Sequence, residues 1–135
     1  MKTLAPSHVQ DRDIPIIVVE DEETVLSFLE NSLKTSGYRN VFSCSDPTTA
    51  LQRLQQVPEG RMALIIDVAL KTENGIDLAT RLLTERPGAR ILLISGFIDE
   101  MVLPEEATEE KRVAFLAKPF NYKQFSAQFE KLMAG

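Results

Sequence analysis

One cysteine, one histidine and no apolar run approaching the ~20 residues of a membrane span set the first limits on this chain. With Cys44 alone, no intramolecular disulfide and no thiolate metal cluster can form within one chain, a usage that fits the reducing cytosol. His8, the sole histidine, lies in a stretch from Met1 to Asp13 without any apolar period, so it reads as a solvated side chain in a tail and is given no role. The same stretch lacks the apolar core of a secretory signal, and a cytoplasmic location is expected. Basic charge is also outnumbered, with 15 Lys and Arg against 20 Asp and Glu. A net charge of −5 argues against nucleic acid or an anionic membrane as a direct partner, since both need a basic footprint.

What is present is ordinary globular material. The 135 residues suit one domain, and 44% hydrophobic with 26% charged residues excludes a disordered or fibrous chain. The organising stretch is Met62-Ala63-Leu64-Ile65-Ile66-Asp67, an unbroken apolar run that ends in a carboxylate. Such a run suits a central parallel strand covered on both faces, which delivers Asp67 to its carboxyl end. In open α/β sheets that edge is where ligands bind.

Four further strands are expected: Ile14 to Val19, a weaker one from Asn40 to Ser43, Arg90 to Ile94, and Val113 to Ala117. Helical stripes fall between them. Thr24 to Ser36 carries Val25, Phe28, Leu29 and Leu33 inward and stops at Gly37. Asp46 and Pro47 open the next helix as N-cap and first residue, with Ala50, Leu51, Leu54 and Val57 as its stripe, ended by Pro58 and Gly60. A third runs from about Gly75 to Arg86. Between Phe97 and Arg112 the helix is expected to be short or broken, because Pro104 removes a backbone donor. The last, from about Asn121 to Met133, presents Tyr122, Phe125, Phe129, Leu132 and Met133 on one side. Five β-α repeats predict an α/β fold, a doubly wound five-stranded parallel sheet with helices on both faces. The tail ends at residue 13 and the domain spans 14–134.

The strand ends carry Glu20-Asp21, Asp67, Ser95 and Lys118. Carboxylates gathered at one point repel one another unless a cation joins them, and Mg²⁺ takes carboxylates, waters and a phosphate oxygen. A phosphate also accounts for a hydroxyl and an ammonium aimed at the same place, with Asp67 as a nucleophile able to form an acyl phosphate. Singly, each residue has a plainer reading as helix cap, turn former or solvated charge. Their conjunction at successive strand ends is hard to ascribe to independent turns.

Val18-Val19-Glu20-Asp21-Glu22, Leu64-Ile65-Ile66-Asp67 with Gly75 eight positions on, Leu92-Leu93-Ile94-Ser95-Gly96 and Phe115-Leu116-Ala117-Lys118-Pro119-Phe120 together resemble the receiver domains of two-component response regulators, and most of all those fused to hybrid histidine kinases. The resemblance covers about Ile14 to Met133. It implies a flavodoxin-like sheet in the order 2-1-3-4-5 and transfer of a phosphoryl group to Asp67 from a histidine kinase or a histidine phosphotransfer protein. It further implies Mg²⁺ held by Glu20, Asp21, Asp67 and the backbone carbonyl of Ala69, with Ser95 and Lys118 on the phosphoryl group. Ser95 and Phe115 would form a switch that modulates a downstream protein, and a homodimer is left open. Two departures stand out: Lys71 occupies a place where many receivers have proline, and Pro104 interrupts the usual signalling face. Ala69 and Phe97 flank the approach of a hydrolytic water and cannot orient one, which implies a long-lived adduct.

Three rivals are weaker. An aspartyl-phosphate phosphatase would place a second Asp two residues after the nucleophile, where this chain has Ala69. A flavin or nucleotide binder would need a glycine-rich loop after the first strand. A receiver-like module that is never phosphorylated has no need of the complete set Glu20, Asp21, Asp67, Ser95 and Lys118.

Overall fold

A computed structural model describes residues 12–70, 74–96 and 112–134. The elements run β1 (Ile16–Val19), α1 (Glu23–Thr35), β2 (Val41–Cys44), α2 (Pro47–Leu54), β3 (Met62–Asp67), α3 (Gly75–Glu85), β4 (Ala89–Ser95), β5 (Val113–Ala117) and α4 (Tyr122–Ala134). The five strands form one sheet in the order β2-β1-β3-β4-β5, and every neighbouring pair is parallel. The expected helix around Pro104, and with it Phe97 and Lys71, lies outside the described residues.

The unbroken apolar strands arise because both faces of the sheet are covered. Ile17, Val19, Met62, Leu64, Ile66, Ile91 and Leu93 belong to a core shared with Ala50 and Leu54 of α2 and with Leu78 and Leu82 of α3. The alternate residues Ile16, Val18, Ala63, Ile65, Leu92 and Ile94 pack with Leu29 and Leu33 of α1 and with Phe125 and Phe129 of α4. Period two is thus present along each strand, but both phases are apolar. A fully buried Leu or Ile contributes ~1.5–3 kcal/mol from transfer alone, so these strands hold the fold's main store of stability.

Helix starts follow the side chains in the sequence. Asp46 accepts the Thr49 N–H at 2.8 Å and the Thr49 hydroxyl at 3.0 Å, with Pro47 following in the first helical turn. Asn74 accepts the Ile76 N–H at 2.7 Å and opens α3. Gly37, at φ +93, ends α1 in a conformation that side chains with a Cβ avoid.

Four expectations need correction. Phe28 is not in the inward stripe of α1: it is 37% exposed and meets Phe120 edge to face with centroids 5.7 Å apart. Leu29, Ser32 and Leu33 define the buried line, which leaves Phe28 on its flank. Tyr122 likewise lies outward at 38% exposure, its hydroxyl 2.9 Å from that of Ser36. Arg12 and Asp13, read as tail, are tied to the domain. The Arg12 guanidinium lies over the Tyr38 ring at 4.6 Å and pairs with Glu130 at 3.2 Å, while Tyr38 donates to Glu130 at 2.8 Å.

The fourth concerns the end of α2. Its regular turns stop at Leu54, and the buried Arg86 side chain then donates to the carbonyls of Leu54, Val57 and Pro58 at 3.1, 3.0 and 2.8 Å. A cation from the α3–β4 connection thereby satisfies the orphan acceptors at another helix's negative end. Replacing Arg86 by Leu should lower unfolding free energy in urea by about 2–4 kcal/mol, because hydrogen bonds from a charged donor carry ~1.5–3 kcal/mol each and three acceptors lose theirs, a loss partly offset by water at the freed carbonyls and by burial of the leucine. A loss under about 0.5 kcal/mol would show that water replaces the guanidinium freely.

Candidate functional site

Register alone brings the strand ends into line. Val19 pairs with Ile66, Asp67 with Ile94, and Ser95 with Ala117, so Glu20, Asp67, Ser95 and Lys118 follow one another along the carboxyl edge. Backbone bonds extend that alignment past the strands: Glu20 N–H donates to Cys44 O at 3.0 Å, Val68 N–H to Ile94 O at 2.9 Å, and Lys118 N–H to Ser95 O at 2.9 Å. The position of Lys118 is thus set by Ser95, and that of Glu20 by β2. The Lys118–Pro119 peptide bond is cis.

Glu20, Asp67 and Ser95 are buried at 1%, 4% and 4% exposure, Asp21 is half-buried, and the Lys118 side chain is 26% exposed. Asp67 Oδ1 accepts the Ala69 N–H at 3.0 Å, and Oδ2 accepts from Lys118 Nζ at 3.2 Å. Lys118 Nζ also stands 3.7 Å from Glu20 Oε1. Glu20 Oε2 accepts the Glu22 N–H at 3.0 Å, which leaves Oε1 buried without a hydrogen bond among the described residues. One oxygen each from Glu20, Asp21 and Asp67 lies within 4.8 Å of the others.

The electrostatics follow from that crowding. Burial pushes the Glu20 carboxyl up to about 7. The Glu22 N–H and the Lys118 charge oppose this, while the adjacent Asp67 carboxylate adds to it. Burial works to lower the proton affinity of Lys118, but the hydrogen bond to Asp67 and the charges of Glu20, Asp67 and Glu22 outweigh it and hold the ammonium above its ordinary range. A carboxyl on the verge of protonation, a buried oxygen without a donor and three converging hard oxygens fit a small divalent cation such as Mg²⁺. Such an ion would remove the repulsion that the Lys118 ammonium only partly offsets.

The structure therefore brings together Glu20, Asp21, Asp67, Ser95 and Lys118. The Ala69 amide faces Asp67, while Phe115 stands further along the sheet. That ring is half-buried, opposite Leu93 in register and against the core on the α2/α3 face. Two contributors escaped sequence reasoning. The Cys44 carbonyl anchors Glu20, which no side-chain pattern could reveal. Gly75 was read as a helix start and as part of a motif, yet its reason is steric: a Cβ there would collide with the Asp67 carbonyl oxygen and approach the Val68 Cα to 2.9 Å.

Gly75→Ala should accordingly cost about 1–3 kcal/mol, since overpacking against backbone forces the strand end to move. Gly96→Ala, where nothing among the described residues lies within 4 Å of the new Cβ, should stay within about 0.5 kcal/mol of wild type. Parallel urea titrations check both, and equal losses would refute the steric account of Gly75.

Comparison with known proteins agrees with this arrangement. The family model of the response regulator receiver domain matches residues 16–130. The response regulator receiver protein CpdR of Brucella abortus is 29% identical over 119 residues, which is 87% of this chain and 95% of that protein. The alkaline phosphatase synthesis transcriptional regulatory protein PhoP of Bacillus subtilis is 28% identical, and there the match covers 87% of this chain but only 48% of the relative. Among solved structures, response regulator TrrA of Thermotoga maritima in complex with Mg²⁺ and BeF superposes with a TM-score of 0.69 at 20% identity, covering 88% of this chain and 98% of that one. The chain belongs to the response regulator receiver domains, signalling modules with a doubly wound five-stranded sheet in the order 2-1-3-4-5.

Proposed function

We propose that Asp67 is the phosphoacceptor of this receiver, taking a phosphoryl group from the phosphohistidine of a histidine kinase or a histidine phosphotransfer protein. One observation carries the reading: the Asp67 carboxylate is buried, held through Oδ1 by the Ala69 amide and through Oδ2 by Lys118 at 3.2 Å, inside a cluster of carboxylate oxygens. Fixing both oxygens leaves one orientation from which a lone pair can attack phosphorus. Burial limits the water that would compete for the phosphoryl group. Lys118, within reach of both Asp67 and Glu20, supplies a positive charge beside the oxygens of the transferring group, and Ser95 supplies a hydroxyl from the neighbouring strand end.

Glu20, Asp21 and Asp67, with the backbone carbonyl of Ala69, would hold Mg²⁺, which when bound neutralises charge on the phosphoryl oxygens. The chemistry is the domain's own phosphorylation and dephosphorylation rather than turnover of a metabolite, and its place is the cytoplasm. Phosphorylation presents new acceptor oxygens to Ser95 and Lys118, which favours one loop arrangement over another. Phe115, already half-buried beside β4, is the side chain whose packing that choice would alter.

Incubation with Mg²⁺ and acetyl phosphate, followed by intact mass analysis, should show one labile phosphoryl adduct. Asp67→Asn and Asp21→Ala should abolish it and Glu20→Ala should weaken it. An adduct of equal yield in Asp67→Asn would overturn the assignment. Lifetime offers a separate check. Ala69 carries no group that could orient a hydrolytic water, so Ala69→Asn should shorten the adduct's half-life about tenfold or more, within the ~10²–10⁴-fold range of positioned proton-transfer groups or somewhat below it. Identical decay in the two proteins would exclude control by this position. Phe97, the second position named for that role, lies outside the described residues.

A further inference from the structure

Beside the carboxylate cluster the surface opens into a cleft of about 370 Å³ between the start of α1 and the β5–α4 connection. Val25, Phe28, Pro119 and Phe120 form its apolar walls, Glu22 stands at its edge, and Lys118 belongs both to this cleft and to the site. Its size lies in the lower part of the ~300–1,000 Å³ range of small-molecule sites. The walls are already built. Phe28 packs edge to face on Phe120 at 5.7 Å, and Phe120 rests against the fully buried Phe125 at 6.5 Å. Phe28 is one of only two large hydrophobic side chains exposed among the described residues. An apolar group placed over it would remove surface from water at no cost in rearrangement.

A donor whose phosphorus faces Asp67, with a phosphoryl oxygen turned to the Lys118 ammonium, must direct its leaving group away from Asp67. The apolar cleft shares Lys118 with that position, so the anionic phosphoryl end and an apolar remainder find complementary surroundings side by side. The exposed Glu22 carboxylate disfavours a leaving group with further negative charge. We propose that this cleft selects, among small phosphodonors, acyl phosphates of aromatic carboxylic acids over acetyl phosphate; the inference rests on Asp67 as the phosphoacceptor. In the transfer, an Asp67 carboxylate oxygen forms a bond to phosphorus. The bond between phosphorus and the acyl oxygen breaks, and its electron pair leaves with the aromatic carboxylate, with no net proton movement.

The test uses the full chain with Mg²⁺ and two donors, benzoyl phosphate and acetyl phosphate, with adduct formation followed by intact mass and each rate divided by that donor's rate of hydrolysis in solution. Benzoyl phosphate should react about tenfold faster or more at subsaturating donor, the scale on which a hydrophobic pocket discriminates by a few carbons. In Phe28→Ala that ratio should fall towards one, and in Phe28→Leu, which keeps an apolar wall, it should be largely retained. Equal rates with the two donors, or a preference untouched by Phe28→Ala, would overturn the proposal and leave the cleft to an apolar side chain of a protein donor. No adduct at Asp67 from either donor would instead overturn the phosphoacceptor reading, and this inference with it.

Discussion

Among the described residues, two buried carboxylates, Glu20 and Asp67, a third half-buried one, Asp21, and one ammonium, Lys118, are confined to one end of the sheet. Folding in this form leaves negative charge uncompensated, which is why the Glu20 carboxyl is driven towards neutral pH by burial and by Asp67. A buried, imperfectly paired charge is a poor source of stability. The cost is met elsewhere, by strands whose two faces are both apolar and by helices that cover them. The site is therefore tolerated because of the core rather than being part of what holds the fold together.

Parallel pairing explains why the crowding is unavoidable once the register is set. In a parallel sheet all carboxyl ends lie on one side, and the reversal of strand order between β1 and β3 opens a crevice there. Glu20 follows a strand that pairs with β2 on one side and β3 on the other, and it is anchored by the Cys44 carbonyl. A shift of one residue in β1 would exchange the two core faces and carry Glu20 away from Asp67 together. The packing of Ile17 and Val19 against one set of helices, and of Ile16 and Val18 against the other, thus also fixes the geometry of the carboxylate cluster.

This coupling is why so much was legible in the sequence. The strands announced themselves by length and unbroken apolarity, the helices by Asp46-Pro47 and Gly37, and the polar cluster by its place at the strand ends. What escaped notice depends on contacts between residues distant in the chain. Arg86 reads as a charge at the end of a helix, yet its partners are three carbonyls at the end of another. Phe28 has the spacing of a core residue, and only the choice between two adjacent stripes on α1 turns it outward. Arg12 sits in a segment without periodicity, and its ties to Tyr38 and Glu130 need the neighbourhood of α1 and α4 to exist. Local patterns specify which residues are buried, whereas a long cation's partner is chosen by topology.

The two ends of the sheet are consequently built on different principles. At the amino end, arginines bind backbone: Arg86 clamps the end of α2, Arg112 donates to the carbonyls of Ala89 and Arg86, and Arg90 donates to that of Leu132. A guanidinium fixed on carbonyls has one geometry, and no change in protonation or ligand near pH 7 releases it. At the carboxyl end, Lys118 pairs with the carboxylates of Glu20 and Asp67, groups that a cation or a phosphoryl group can re-pair without breaking a backbone bond. Rearrangement is cheap at one end and expensive at the other. A conformational switch at the carboxyl edge that leaves the fold intact needs that asymmetry, because bound charge can shift a population only where alternative pairings differ by a few kcal/mol.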